Sequence, residues 1–334
     1  MTLPAWASPF SIASVAWIAA VSVWLVGGAA HAEVLRVPER PATAPTEVAP
    51  GVYAVLGEPG EVDPANRGRI GNAGFIVGDL GVLAIDTGTS YLQGIALLAS
   101  IRRVTDKPVR LALITHARQE FLFGATAYQE QGIPIHMQRQ AENLMRSRCE
   151  HCLATLEQVL GPEEMRDTAL VKPDHEFEQS HEVDGIGRPI RILYYGHSSG
   201  PGAVAVLDER SGVLFAGGLL DQQRIPDVQD SDLDGWILAL QALRKLPLVA
   251  VVPGHGPIGS PQLIDSNERY LTELRSRVVE LLKAGAALSD VPKEAALPEF
   301  ALWGQYGTIH RRNASVLFLR YEREQFLAED KPKH

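Results

Sequence analysis

With only two cysteines among 334 residues, the chain cannot build a framework of disulfides. It also lacks any run of Lys and Arg, and its formal net charge is −9. Nucleic-acid binding needs clustered cations to replace phosphate counterions, so the charge pattern argues against that class of partner. No internal repeat at solenoid or propeller spacing occurs. The rest is ordinary for a globular protein: 46% of residues are hydrophobic and 21% charged, which fits neither disorder nor a fibrous repeat. A chain of this length buries the core of one large domain or two small ones.

Residues 1–32 contain no Asp, Glu, Lys or Arg, so the negative charge belongs entirely to residues 33–334. An apolar stretch over about 12–30 ends in Ala30-His31-Ala32, with small residues at both specificity positions of a signal-peptidase site. This predicts a secretory signal, 1–32, cleaved after Ala32. The basic n-region is missing and the stretch is long enough to span a bilayer, so an uncleaved anchor is the alternative. On either reading the remainder is exported, periplasmic or secreted, and a membrane is a partner only if the segment is retained. In an oxidising compartment the pair in "RSRCEHCLATLE", Cys149 and Cys152, is first a disulfide candidate. A bridge over so short a loop constrains little of the unfolded chain. A redox dithiol is the second reading, and a zinc knuckle with His151, for which no fourth ligand is evident, the third.

Residues 33–50 are rich in Pro, Ala and Thr and are expected to form an exposed leader. A main domain over 51–285 comes next, then a helical tail over 286–334. Strand composition marks "GVYAVLG", "NAGFIVGD", "GVLAIDTG", "VRLALITH" and "IPIHM", and later "IRILYYGH", "GAVAVLDE", "GVLFAGG" and "PLVAVVPGHG". Helical spacing marks 91–104, "FLFGATAYQEQG", 139–160, 232–246 with Asp232 as N-cap, 261–284 and 309–327. Two groups of strands with helices around both predict an α/β fold of two packed sheets flanked by helices.

Three histidines share one local pattern. His116, His197 and His255 each succeed an apolar strand, with Gly at or near the turn: "LITHARQEFLFG", "ILYYGHSSGPG" and "AVVPGHGPIG". Strand ends face a common edge in α/β folds, so these side chains are candidates to converge. A single strand-end His is explained by local hydrogen bonds; three in one pattern point to nitrogen ligands for an ion such as zinc.

These segments, in this order, resemble the metallo-β-lactamase fold superfamily over roughly 48–284. "RCEHCL" and "YGTIHRRNASVLFLRYE" more distantly resemble its exported quinoprotein relay system zinc metallohydrolases. The resemblance implies a four-layer αβ/βα sandwich with metals in a cleft at one edge. It implies ligands at His116, His197 and His255, and a supporting acid at Asp86. The family pattern T-H-x-H-x-D-H is met at Thr115 and His116 but broken by Arg118, Glu120 and Phe121. The metal-bridging Asp is replaced by Gly218. Without that carboxylate, and with a guanidinium nearby, two metals about 3.5–4 Å apart have little to hold them.

Two readings are open. In one, His116, His197, His255 and Glu120 gather around at most one zinc, and the protein hydrolyses a small ester, thioester or amide. Arg118 then pairs with Glu120 or holds an anionic group. In the other the cleft is a non-catalytic binding module for a small molecule, lined by Arg118, the histidines and Phe121. Lesser candidates are Ser198 and Ser199 beside His197, Asp221 and Asp227 as substitute carboxylates, and Arg67, Arg69 and Asn72 at the cleft mouth. His310 and Asn313 are expected to pack or face solvent.

Overall fold

Strict alternation of apolar side chains lets a strand serve two layers at once. In "VLAI" Leu83 and Ile85 face one way while Val82 and Ala84 face the other, and all four are buried. The computed structural model describes residues 44–329, with side chains to 327. The proposed signal, and most of the leader, lie outside the described residues.

A seven-stranded sheet runs in sequence order: β1 (Thr46–Ala49), β2 (Val52–Val55), β3 (Ala73–Val77), β4 (Val82–Ile85), β5 (Val109–Ile114), β6 (Ile135–Gln138) and β7 (His175–Phe177). β1 to β4 pair antiparallel and β4 to β7 parallel. The crossovers are α1 (Tyr91–Val104), the short α2 (Gln119–Leu122) and α3 (Ala125–Gln129), and α4 (Arg139–Leu160). Ser90 caps α1 by accepting from the Gln93 N–H at 3.3 Å.

The second sheet holds β8 (His181–Glu182), β9 (Ile190–Tyr194), β10 (Val204–Asp208), β11 (Val213–Asp221) and β12 (Ala250–His255), in the order β12-β11-β10-β9-β8. β11 and β12 are parallel and the other pairs antiparallel. Against its outer face lie α5 (Leu233–Leu243), α6 (Leu263–Lys283), α7 (Val291–Glu294) and α8 (Arg311–Glu329).

Between the sheets, Ile76, Leu83, Ile85, Leu111 and Leu113 meet Ile192, Val204, Val206, Phe215 and Val252. Phe215 lies so close to β3 that a Cβ on Gly74 would come within 2.2 Å of its ring. The opposite faces of the same strands, through Ala205, Leu207, Leu214 and Ala216, pack on Trp236, Leu240, Tyr270 and Leu274. This is the αβ/βα sandwich expected. Among the described residues no helix is long and apolar enough to cross a membrane.

Several expectations change. Thr46–Ala49 is strand rather than leader, because Glu47 and Ala49 find β2 partners in Tyr53 and Val52. The helix expected across "FLFGATAYQEQG" divides into α2 and α3 at Gly124, whose Cβ position is filled by the Thr87 carbonyl at 1.9 Å. Asp232 stands at the N-cap of α5 without a capping side-chain bond. The segment after α6 is no loose appendage: Val291, Phe300, Ile309, Leu317 and Phe318 complete the core outside the second sheet. His310 and Asn313 pack as expected of structural residues. Asn313 Nδ2 donates to the Pro226 carbonyl at 2.7 Å and its Oδ1 accepts from the Val228 N–H at 3.1 Å, fixing the loop on either side of Asp227.

Candidate functional site

The ends of β4, β5, β11 and β12 meet at one edge of the sandwich. Asp86, past the end of β4, adopts φ +60, an uncommon conformation outside glycine that Asp tolerates better than most residues. Its carboxylate there accepts from the Thr115 N–H at 2.8 Å and the Thr115 hydroxyl at 2.9 Å. Burial pushes Asp86 up to about 7 despite the Thr115 bonds that favour its ionised form. The Thr115 oxygen lies 2.8 Å from His116 Nδ1. With its hydrogen given to Asp86, that hydroxyl accepts from Nδ1–H, leaving the imidazole lone pair on Nε2. Burial, then the charge of Arg118, depress His116 to about 3, so this ring is neutral.

His116 reaches the cleft with its ring packed on either side. Phe121 is fully buried against it, ring centroids 4.3 Å apart, and touches His255 edge-on at 5.3 Å. On the other side a Cβ on Gly218 would lie 2.7 Å from the His116 ring. The imidazole therefore occupies space that a bridging Asp at 218 would need.

His255 is held between two carboxylates, Nδ1 at 2.7 Å from Asp221 and Nε2 at 3.1 Å from Glu120. Burial opposes its charge, but Asp221 and then Glu120 outweigh it and raise its pKa. Glu120, against its own burial, is held at about 2 by His255 and Arg118. The result is an imidazolium donating from both nitrogens. Asp221 is opposite His255 in the β11–β12 register, which is why it becomes the partner.

The third histidine behaves differently. His197 is exposed, and its Nε2 lies 2.7 Å from the Asp230 carbonyl, so Nε2–H donates to backbone. It does not line the cleft, whereas His116 and His255 do. Of the three imidazoles expected to converge, two face one cleft with Phe121 packed against both, and one is turned to the loop before α5.

Arg118 pairs with Asp227 at 2.7 Å rather than with Glu120. Asp227 also takes Arg312 of α8 at 2.7 Å, and its carboxylate is held low by both arginines despite burial. Arg148 of α4 pairs with Asp230. The expected anion-attracting lining is therefore largely neutralised within the protein. Arg67 and Arg69 bond Glu164 and Glu58. Asn72 is buried and saturated: its amide donates to the Pro253 and Gly256 carbonyls and accepts from the Gly57 N–H. It ties the two sheets together beneath His255 instead of facing substrate.

The cleft encloses about 430 Å³, within the range of small-molecule pockets. Ser199 lines it with a buried hydroxyl that has no protein partner, and neither Ser198 nor Ser199 bonds a histidine. Cys149 and Cys152 also line it. The disulfide considered from sequence is not formed: both thiols are free, on successive turns of α4. In a regular helix, Cβ atoms three residues apart are about 5–6 Å from each other, wider than the roughly 3.5–4.5 Å that a disulfide requires.

The donors present do not fit the implied zinc centre. Phe121 stands where a ligating histidine is expected and packs against both rings, His197 is elsewhere, and both nitrogens of His255 are engaged. Among the described residues no group of three or more His, Cys, Asp or Glu is arranged to hold a metal ion. Sequence reasoning missed the part of Arg148 and Arg312 in the cleft. Their signal is weak, since both reach it only through the docking of α4 and α8.

Comparison with known proteins places this geometry. The metallo-β-lactamase type 2 of Bacteroides fragilis is 27% identical over 113 residues, 32% of this chain and 45% of that protein, so the match spans just under half of the relative. The solved metallo-β-lactamase from Pontibacter korlensis superposes with a TM-score of 0.56 at 22% identity, covering 68% of this chain and 98% of that one. The DIM-1 metallo-β-lactamase exposed to ceftazidime gives 0.56 at 18%, covering 70% and 99%. At these identities the structural likeness speaks for the fold. A family model described as the metallo-beta-lactamase superfamily matches residues 66–255, more than half of the chain, and the protein belongs to that superfamily.

Proposed function

We propose that this is an exported metallo-β-lactamase-fold protein whose cleft binds a small molecule and has given up the metal centre of its fold. The observation that carries the reading is the Phe121 ring lying against both His116 and His255. A buried phenyl ring there offers no donor where the fold's pattern places a ligating histidine. Support comes from the saturated His255 and from the unpartnered Ser199 hydroxyl, which a ligand can satisfy. The competing reading, a one-zinc hydrolase, has in its favour that His116, His255 and Glu120 line the same cleft.

Elemental analysis after zinc loading and desalting separates the two. Well under one zinc per chain is expected, with an ester or β-lactam reporter hydrolysed no faster than in buffer. About one zinc per chain, lost on His116→Ala or His255→Ala, would overturn the binding-module reading. The combination Arg118→His, Glu120→Asp, Phe121→His and Gly218→Asp is expected to raise zinc content toward two, because the new Asp displaces the His116 ring into the cleft.

A further inference from the structure

One wall of the cleft is built by α4, and it carries the chain's only two thiols. They lie one helical turn apart on α4 and both line the cleft. Their surroundings differ. Cys149 is buried, whereas Cys152 is partly exposed and donates weakly to the Arg148 carbonyl one turn back, at 3.5 Å. Neither thiol is used by the binding reading above, which stands or falls separately.

We propose that Cys149 and Cys152 form a thiol–disulfide exchange site opening into the cleft, with Cys152 as the attacking and Cys149 as the resolving sulfur. The partner is a small-molecule disulfide. The Cys152 thiolate attacks one of its sulfurs, the S–S bond breaks and one thiolate leaves. Cys149 then loses its proton and attacks Cys152 Sγ, expelling the second thiol. In total two protein thiols are oxidised to one disulfide and the small disulfide is reduced to two thiols.

Three features support the order of events. Both line the cleft, but Cys149 is buried and Cys152 is the more open to a reagent there. The neighbouring Cys149 thiol lowers Cys152 to about 7 against its burial, while Cys152 and then burial raise Cys149. The thiols are also already adjacent, so resolution needs only a local tightening of α4. That tightening, about 1–2 Å between Cβ atoms, strains the closed form and favours its reopening, the behaviour of exchange sites rather than structural bridges.

The test treats the full chain, reduced and in chelator, with oxidised glutathione and follows mass and alkylation. The wild type is expected to lose two hydrogens, hide both thiols from alkylation and recover them in reduced glutathione. Cys149→Ser should accumulate one glutathione on Cys152. Cys152→Ser should form its adduct roughly tenfold more slowly or not at all. A wild-type chain that keeps two alkylatable thiols, or that retains glutathione without closing, overturns the proposal. So does equal reactivity of the two variants. The wild-type result does not depend on either variant folding.

Discussion

Asp208→Ala is expected to destabilise the fold by about 3–5 kcal/mol, read as a lower urea midpoint with an unchanged slope. Asp208 ends β10 and is fully buried, facing Arg188 through two parallel bonds of 2.7 and 2.6 Å. Arg188 also donates to the Pro50 and Val77 carbonyls at 3.0 and 3.1 Å, so one guanidinium joins the β1–β2 turn, the end of β3 and the second sheet. Removing the carboxylate leaves that guanidinium buried without a counter-charge, and the large effect comes from this rather than from the pair's own net attraction. The double replacement Arg188→Met with Asp208→Leu should therefore recover much of the loss. Equal damage from single and double variants would show that the pair contributes chiefly as packing.

The cost of His116→Gln should shrink as pH falls, by about 3 kcal/mol between pH 6.5 and 4. His116 sits near 3 in the fold against an ordinary value of 6.5. Between those values the folded protein binds fewer protons at this residue than the unfolded chain. Its contribution to stability is complete above pH 6.5 and is lost as pH falls toward 3. Gln keeps the polar contact to Thr115 and cannot titrate, so the difference between the two proteins isolates the imidazole. Asp86, raised to about 7, works in the opposite direction in wild type, which is why the comparison and not the raw profile is informative. A cost independent of pH would mean that His116 is solvated or charged in the native protein.

The strand-end histidines and the two-sheet plan were legible because both are local. Period-two alternation in "VLAI" and "VAVLD" names the buried faces, and Gly beside His116, His197 and His255 marks the turns. The four substitutions at Arg118, Glu120, Phe121 and Gly218 were equally plain. What could not be read was direction. Nothing in "GHSSGPG" shows that His197 turns to the Asp230 carbonyl, because that depends on a loop 33 residues away. Nor does "RIPDVQ" reveal that Asp227 takes Arg118 and Arg312 together, since α8 must dock before Arg312 arrives. The strands β7 and β8 escaped notice because two or three residues carry too little alternation to show a period.

The contact between His116 and the bare backbone of Gly218 makes the present arrangement hard to undo one residue at a time. A chain carrying only Gly218→Asp must push an imidazole out of a packed niche and gains no ion in return. One carrying only Phe121→His places a third ring beside a His255 whose two nitrogens are already taken. Each single step toward a complete ligand set begins downhill in stability, so the route back to a metalloenzyme is gated by cooperation among positions that are separately unrewarding.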